Sequence, residues 1–323
     1  MDNVGSVMYS IVVPVYNEEN VIKEFYNRTT AVLSSLKERY EIIFINDGSV
    51  DNSLTILREL HAEDSSVKVI NFSRNFGHQM AITAGMDYSA GNAVIIMDSD
   101  LQDPPEVIAK LVERWKEGHD VVYAVREARK GETLFKRLTA TLFYRLIVKI
   151  TNVSMHADVG DFRLMDKKVI DIFRTVRERH RFIRGLVSWV GFKQTGISYI
   201  RNERFAGETK YPFRKMLKFA IDGITSFSFL PLQLAMYAGA IISLMSFASG
   251  IYILCLRTIT GRFIPGIAGI LVSVLFLGGI QLLFLGLIGE YIGRMYDEIK
   301  QRPLYIVQEF LGFNQKNNNE ISC

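Results

Sequence analysis

The sequence predicts an α/β fold with a mostly parallel sheet, followed by a two-helix transmembrane hairpin. Three observations carry that prediction. Short apolar runs alternate with helix-period segments across residues 9–125, the pattern of a sheet with helices on both faces. One such run, Ala93-Val94-Ile95-Ile96-Met97, leads directly into Asp98-Ser99-Asp100-Leu101-Gln102. Further on, Leu232–Leu256 and Phe263–Gly289 hold no charged residue over 25 and 27 positions. Each exceeds the ~20 apolar residues that a helix needs to cross a bilayer.

The elements follow in order. Tyr9–Val13, Glu41–Ile45, Val67–Ile70, Ala93–Met97 and Asp120–Tyr123 read as strands, rich in β-branched and aromatic residues. Val21–Lys37, Ser53–His61, His78–Tyr88 and Pro105–Lys116 carry helical periodicity between them. Two later segments, about 133–150 and 212–229, read as amphipathic helices lying in a membrane interface. In the second, Phe213, Met216, Leu217, Ala220, Ile221, Ile224 and Phe227 share one face, opposite Arg214, Lys215 and Lys218. In the first, Lys149 falls within the apolar stripe and would have to snorkel. Packing on the sheet is the alternative for both helices.

The predicted organisation is an α/β domain with its interfacial helices over 1–229, two spans at about 232–256 and 265–289 within 230–292, and a C-terminal segment over 293–323. From Asn314 onward the chain is polar and Asn-rich, the composition of disorder. Arg214, Lys215 and Lys218 precede the first span, and Arg294, Lys300 and Arg302 follow the second. Only Arg257 and Arg262 lie between the spans, so the positive-inside rule sets both termini in the cytoplasm. No signal peptide is visible. Cys255 lies inside a span and Cys323 is terminal, so no disulfide framework is expected. The net charge of +4 suits an anionic membrane surface or nucleic acid, and the spans favour the membrane.

Three loops carry chemistry: Pro14-Val15-Tyr16-Asn17-Glu18, Asn46-Asp47-Gly48-Ser49-Val50-Asp51, and the segment beginning at Asp98. Each follows a strand, and parallel strands bring their carboxyl ends to one edge of the sheet. Two carboxylates one residue apart suit Mg²⁺, which takes one or two acids plus substrate phosphates. Asp47 could hydrogen-bond a base and Tyr16 could stack on it. Taken singly, these are ordinary turn residues; their convergence points to a nucleoside diphosphate. Neither G-x-G-x-x-G nor a Walker lysine is present, which excludes a dinucleotide fingerprint and a P-loop. From Arg174 to Lys218 there are twelve Lys/Arg against three Asp/Glu, a cationic stretch fit for phosphate.

Val-Pro-Val-Tyr-Asn-Glu, Asn-Asp-Gly-Ser-Val-Asp and Asp-Ser-Asp-Leu-Gln-Asp-Pro-Pro together resemble the inverting family 2 glycosyltransferases with their GT-A, Rossmann-like fold. Ser73-Arg74-Asn75-Phe76-Gly77-His78, Asp158-Val159-Gly160-Asp161-Phe162-Arg163 and Gly289–Arg294 with Arg302-Pro303-Leu304-Tyr305 narrow the resemblance. They are similar to the polyprenyl-phosphate branch, which includes bactoprenol glucosyltransferases and dolichol-phosphate mannose synthases. The processive enzymes' Q-x-x-R-W is absent.

The resemblance implies transfer of a sugar from a nucleotide diphosphate to the phosphate of a membrane polyprenol such as undecaprenyl phosphate. It implies that Pro14, Tyr16, Glu18, Asp47, Asp98, Ser99 and Arg126 contact the nucleotide sugar. Asp98, Asp100 and Gln102 would hold Mg²⁺ or Mn²⁺. Asp161 would stand beside the reacting centre with Asp98 and Arg163, and Arg129, Arg163, Arg204 and Lys210 would face the acceptor phosphate. UDP-glucose is the expected donor, with GDP-mannose, UDP-GlcNAc and a modified arabinose as alternatives. The implied setting is a bacterial plasma membrane, with no nucleic-acid partner and with homo-oligomerisation open. The rival readings are another membrane glycosyltransferase and a non-catalytic, membrane-anchored nucleotide-binding regulator.

Overall fold

A computed structural model describes residues 6–126, 159–179, 181–200, 230–260 and 266–313. The chain divides into two compact units, Met1–Met216 with Arg302–Cys323, and Leu217–Gln301.

The first unit is built on one eight-stranded sheet. Its strands are β1 (Tyr9–Val15), β2 (Tyr40–Asn46), β3 (Val67–Phe72), β4 (Ala93–Ile96), β5 (Val121–Arg126), β6 (Val159–Asp166), β7 (Gln194–Tyr199) and β8 (Val307–Leu311). Their spatial order is β7-β5-β6-β4-β1-β2-β3-β8. The pairs β1–β2, β1–β4, β2–β3 and β5–β7 run parallel. The pairs β3–β8, β4–β6 and β5–β6 run antiparallel, so the sheet is mixed.

The five strands and four helices expected between residues 9 and 125 are all present, within a few residues of their expected ends. Helices α1 (Ile22–Ser35), α2 (Ser53–Glu63), α3 (His78–Tyr88) and α4 (Ile108–Lys116) alternate with β1–β5. Every residue of β1 is buried, because helices cover both faces of the sheet. Tyr9, Ile11, Val13 and Val15 join the core beneath α1, α2 and α4, where Phe25 meets Phe44 edge to face at 6.1 Å. Burying a side chain such as Phe44 stabilises the fold by about 1.5–3 kcal/mol. Helix α3 covers the opposite face. A Cβ on Gly85 would stand 2.2 Å from Val12 Cγ1, so only glycine lets α3 approach β1 this closely.

Five elements of this unit beyond residue 126 were not anticipated: β6, α5 (Lys167–Thr175), α6 (Ile183–Trp189), β7 and β8. Asp166 caps α5 by accepting the Lys168 amide, and also accepts Trp115 Nε1–H at 2.8 Å. β8 adds an antiparallel edge to β3, pairing Ile70 with Phe310 and Asn71 with Glu309. Ahead of it, Tyr305 stacks on Phe72 and donates its hydroxyl to Asp87 at 2.6 Å, while Arg177 grips both Asp87 oxygens at 2.8 Å.

The second unit holds two long helices, α7 (Leu230–Thr260) and α8 (Ile267–Ile299). Phe276–Ile299 is long and apolar enough to cross a membrane, and none of the window that qualifies it is buried in the protein. Within α7 the corresponding apolar stretch, Ala235–Ser249, is shorter. The interfacial helices expected at 133–150 and 212–229, and the tail from Asn314, lie outside the described residues.

Candidate active site

Hydrogen bonds between loops draw the strand ends together. Asn17, at φ 55°, donates its amide to Ser49 Oγ and accepts the Val50 amide on Oδ1. The Glu18 amide donates to Ser53 Oγ. Ser99 Oγ donates to the Pro14 carbonyl at 3.4 Å. The loops after β1, β2 and β4 therefore converge, as expected from a parallel core. Tyr16 is exposed at this edge.

Asp47 reaches the next loop. Its two oxygens accept the Phe76 amide at 2.6 Å and the Gly77 amide at 3.0 Å, while Asn75 Nδ2 donates to its carbonyl. Burial raises its pKa, and the two amides oppose that shift. Gly48 is required here. Its φ is +67°, and a Cβ would lie 2.5 Å from the Arg74 carbonyl carbon and the Asn75 nitrogen. This clasp fixes Gly77 at the start of α3, and so aims His78.

Asp98 and Asp161 come together through sheet register. β4 and β6 are antiparallel, with Ile96 opposite Arg163. Continuing that register by two residues sets Asp98 opposite Asp161. Like charges directly opposed destabilise a sheet unless a cation intervenes. His78 is that cation: its Nε2 lies 3.5 Å from Asp98 Oδ1 and 3.4 Å from Asp161 Oδ2. Desolvation works against the imidazolium, but Asp98 and Asp161 outweigh it and hold the pKa up at about 9.

Asp161 is 6% exposed and carries a second cation. Arg184 grips it as a fork, Nε to Oδ1 and Nη2 to Oδ2, both at 2.9 Å. Burial alone would raise the Asp161 pKa, yet Arg184 and His78 bring it well below the usual carboxylate range. Arg163 sits deeper. Its Nη2 donates to the Gly160 carbonyl at 2.7 Å and lies 3.9 Å from Asp161 Oδ1, and burial pushes its pKa down to about 10.

Asp98 Oδ1 is buried and accepts no hydrogen bond. Desolvation raises the Asp98 pKa; His78 opposes this, and Asp161, Asp103 and Asp100 add to it. Asp100 Oδ1 accepts the Gln102 amide, closing a turn through Leu101 at φ 57°. Among the described residues no group of three or more His, Cys, Asp or Glu side chains forms a cage for a metal. A buried carboxylate oxygen that accepts no hydrogen bond, two residues from a second acid, fits a hard cation that completes its shell with water and phosphate oxygens. Arg126 borders this loop: its Nε donates to the Tyr199 hydroxyl at 3.2 Å, and its Nη2 lies 3.8 Å from Asp103. Tyr199 in turn donates to Asp103. Arg129, Arg204 and Lys210 lie outside the described residues.

Sequence reasoning gave no role to His78 or Arg184. His78 ends the segment Ser73-Arg74-Asn75-Phe76-Gly77-His78, which carries the family resemblance without marking the imidazole's role. Arg184 was one of twelve cations, and nothing local marks it.

An open α/β sheet binds its ligands outside the carboxyl ends of its strands, which is where these acidic loops lie. The family model described as Glycosyl transferase family 2 matches residues 10–173. The chain is 57% identical over 310 residues to "Uncharacterized glycosyltransferase YkcC" of Bacillus subtilis (strain 168), covering 96% of each. It is 44% identical over 300 residues to "Prophage bactoprenol glucosyl transferase homolog" of Escherichia coli (strain K12), covering 93% of this chain and 98% of that one. Mannosyl-3-phosphoglycerate synthase from Rubrobacter xylanophilus superposes with a TM-score of 0.49 at 15% identity, covering 67% of this chain and 71% of that one. The chain belongs to glycosyltransferase family 2, and the protein is a glycosyltransferase.

Proposed function

We propose that the protein transfers a sugar from a nucleoside diphosphate to the phosphate of a membrane polyprenol, with inversion at the anomeric carbon. The observation that carries this is the Asp98–His78–Asp161–Arg184 array at the sheet edge. It sets a diphosphate-side acid beside a carboxylate already neutralised by arginine. The relative named as a bactoprenol glucosyl transferase homolog supports the polyprenol acceptor.

In the reaction an oxygen of the acceptor phosphate attacks the anomeric carbon. The bond from that carbon to the leaving diphosphate breaks, and its electron pair departs with the diphosphate. The acceptor needs no strong base, because a phosphate's second pKa is roughly 6. Asp161, its pKa held low by Arg184 and His78, is a poor proton acceptor, which suits it to orienting groups. Asp98 and Asp100, with Gln102, would hold Mg²⁺ or Mn²⁺, which would supply positive charge to the leaving group. Asp47 and Tyr16 would receive the base, with Pro14, Glu18, Ser99 and Arg126 around the nucleotide sugar. Arg163, buried behind Asp161, would support the reacting edge. Arg129, Arg204 and Lys210 would add cations for the acceptor.

UDP-glucose is the proposed donor. The helices α7 and α8 would form a hairpin in the membrane, with the first unit and both termini cytoplasmic, since Arg294, Lys300 and Arg302 follow the second span. The test is direct. Purified protein is incubated with undecaprenyl phosphate and a panel of nucleotide sugars, and the lipid product is weighed by mass spectrometry. A polyprenyl-phosphate-hexose from UDP-glucose is expected. Absence of any glycosylated lipid across the panel overturns the reading.

A further inference from the structure

We propose that Gln79 is a positioning residue for Asp161: it caps the helix that brings Arg184 onto that carboxylate. This rests on the functional reading above and adds a residue to it.

Gln79 is the second residue of α3 and follows His78. Its Oε1 accepts the Ile183 amide at 3.1 Å. Ile183 opens α6, and the first amides of a helix have no acceptor within it. The residue before it, Phe182, gives no side-chain cap. Ile183 is buried, and an unmet amide is costly there, so the start of α6 is held where Gln79 reaches it. The next residue is Arg184, whose fork grips Asp161 at 2.9 Å through both oxygens. These bonds close into a ring. His78 Nε2 lies 3.4 Å from Asp161 Oδ2, and Arg184 Nη2 donates to that same oxygen. Ile183 joins Arg184 along the chain, and Gln79 leads back from Ile183 to His78. Asp161 therefore takes one cation from α3 directly and a second from a helix that α3 itself caps. The angle between the two cations is set by one helix start, which fixes how the carboxylate is turned. In the proposed mechanism Asp161 orients its partners instead of taking a proton, so its direction decides its worth, and a small displacement lowers the rate steeply.

The experiment uses full-length protein in detergent with undecaprenyl phosphate and UDP-glucose. Gln79→Met keeps the length of the side chain and removes the acceptor, whereas Gln79→Glu keeps an acceptor oxygen. Gln194→Met is the control: Gln194 Nε2 donates to the Val187 carbonyl at 2.7 Å, so this change loosens the other end of α6. The readouts are kcat, UDP affinity by calorimetry and thermal melting. Gln79→Met is expected to lower kcat about 10-fold or more, with UDP affinity within about 2-fold of wild type. Gln79→Glu should bring kcat back to within about 3-fold of wild type, and Gln194→Met should keep the wild-type kcat. In an Arg184→Lys background Gln79→Met should lower kcat little further, because residues that act through one another are not additive. Equal losses of kcat in Gln79→Met and Gln79→Glu, the same loss in Gln194→Met, full additivity with Arg184→Lys, or a collapse of UDP affinity each overturns the inference. Should Gln79→Met melt below the assay temperature, Gln79→Asn, too short to reach Ile183, takes its place with the same expectations. If wild type itself glycosylates no polyprenyl phosphate, the functional reading fails first and this inference falls with it; if wild type does so and Gln79→Met matches it, only this inference fails.

Discussion

His78 Nε2 lies 3.4 Å from Asp161 Oδ2, which joins the first residue of α3 to the start of β6, a strand inside the sheet. Its second contact, to Asp98 at 3.5 Å, ties the loop after β4 to β6 through one imidazole. The whole array depends on that imidazolium.

A pH dependence follows from it. The His78 pKa in the folded protein is about 9, above the ordinary 6.5. A raised folded pKa gives stability that is fully present below 6.5 and lost as pH rises through about 9. Denaturant unfolding between pH 6 and 10 should show a decline over that window, and His78→Gln should flatten it. An unchanged slope in the variant would exclude His78 as its source.

Asp100→Ala should cut transfer on the order of 100-fold or more while leaving the melting temperature near wild type, since a metal ligand is worth several kcal/mol at the transition state. EDTA should do the same to wild type, with Mn²⁺ or Mg²⁺ restoring turnover. Near-normal activity of Asp100→Ala in saturating metal would remove the cation from the mechanism.

Gly48→Ala should destabilise the first unit by about 1–3 kcal/mol or more, from the left-handed backbone and the clash with the Arg74–Asn75 peptide. Donor affinity should fall with it, because the same loop holds Asp47. Chemical denaturation and nucleotide calorimetry read the two effects separately, and a variant with wild-type values for both would contradict the tight turn.

Tyr305→Phe removes the hydroxyl that Asp87 accepts at 2.6 Å and keeps the ring on Phe72. A loss of about 1–2 kcal/mol is expected, the cost of one charge-assisted bond. Equal stability of the variant and wild type would leave Arg177 as the sole partner that matters to Asp87.

The central strands and helices were legible because β1, β2 and β4 are mostly apolar and β-branched, buried on both faces, with helical periods between them. The loop acids Asp47, Asp98 and Asp100 were legible because each follows such a run. β6 was not legible as a strand. Its sequence, Val-Gly-Asp-Phe-Arg-Leu-Met-Asp, sets Asp161 and Arg163 at buried positions, and binary pattern fails where function overrides it. β8 is five residues long and earns its conformation from β3, far away in the chain. Arg184 depends on a partner 23 residues distant across a change of element. No periodicity encodes that contact, whereas the Asp98–Asp161 pairing follows from register once β6 is seen.

The most direct measurement follows the oxygen atoms. Undecaprenyl phosphate carrying ¹⁸O in its phosphate is turned over with UDP-glucose, and both products are weighed. Attack by the acceptor phosphate on the anomeric carbon predicts a lipid monophosphate sugar retaining all of the label, together with unlabelled UDP. Release of UMP with a lipid diphosphate sugar, or of free glucose with untouched lipid, would contradict glycosyl transfer to the polyprenyl phosphate.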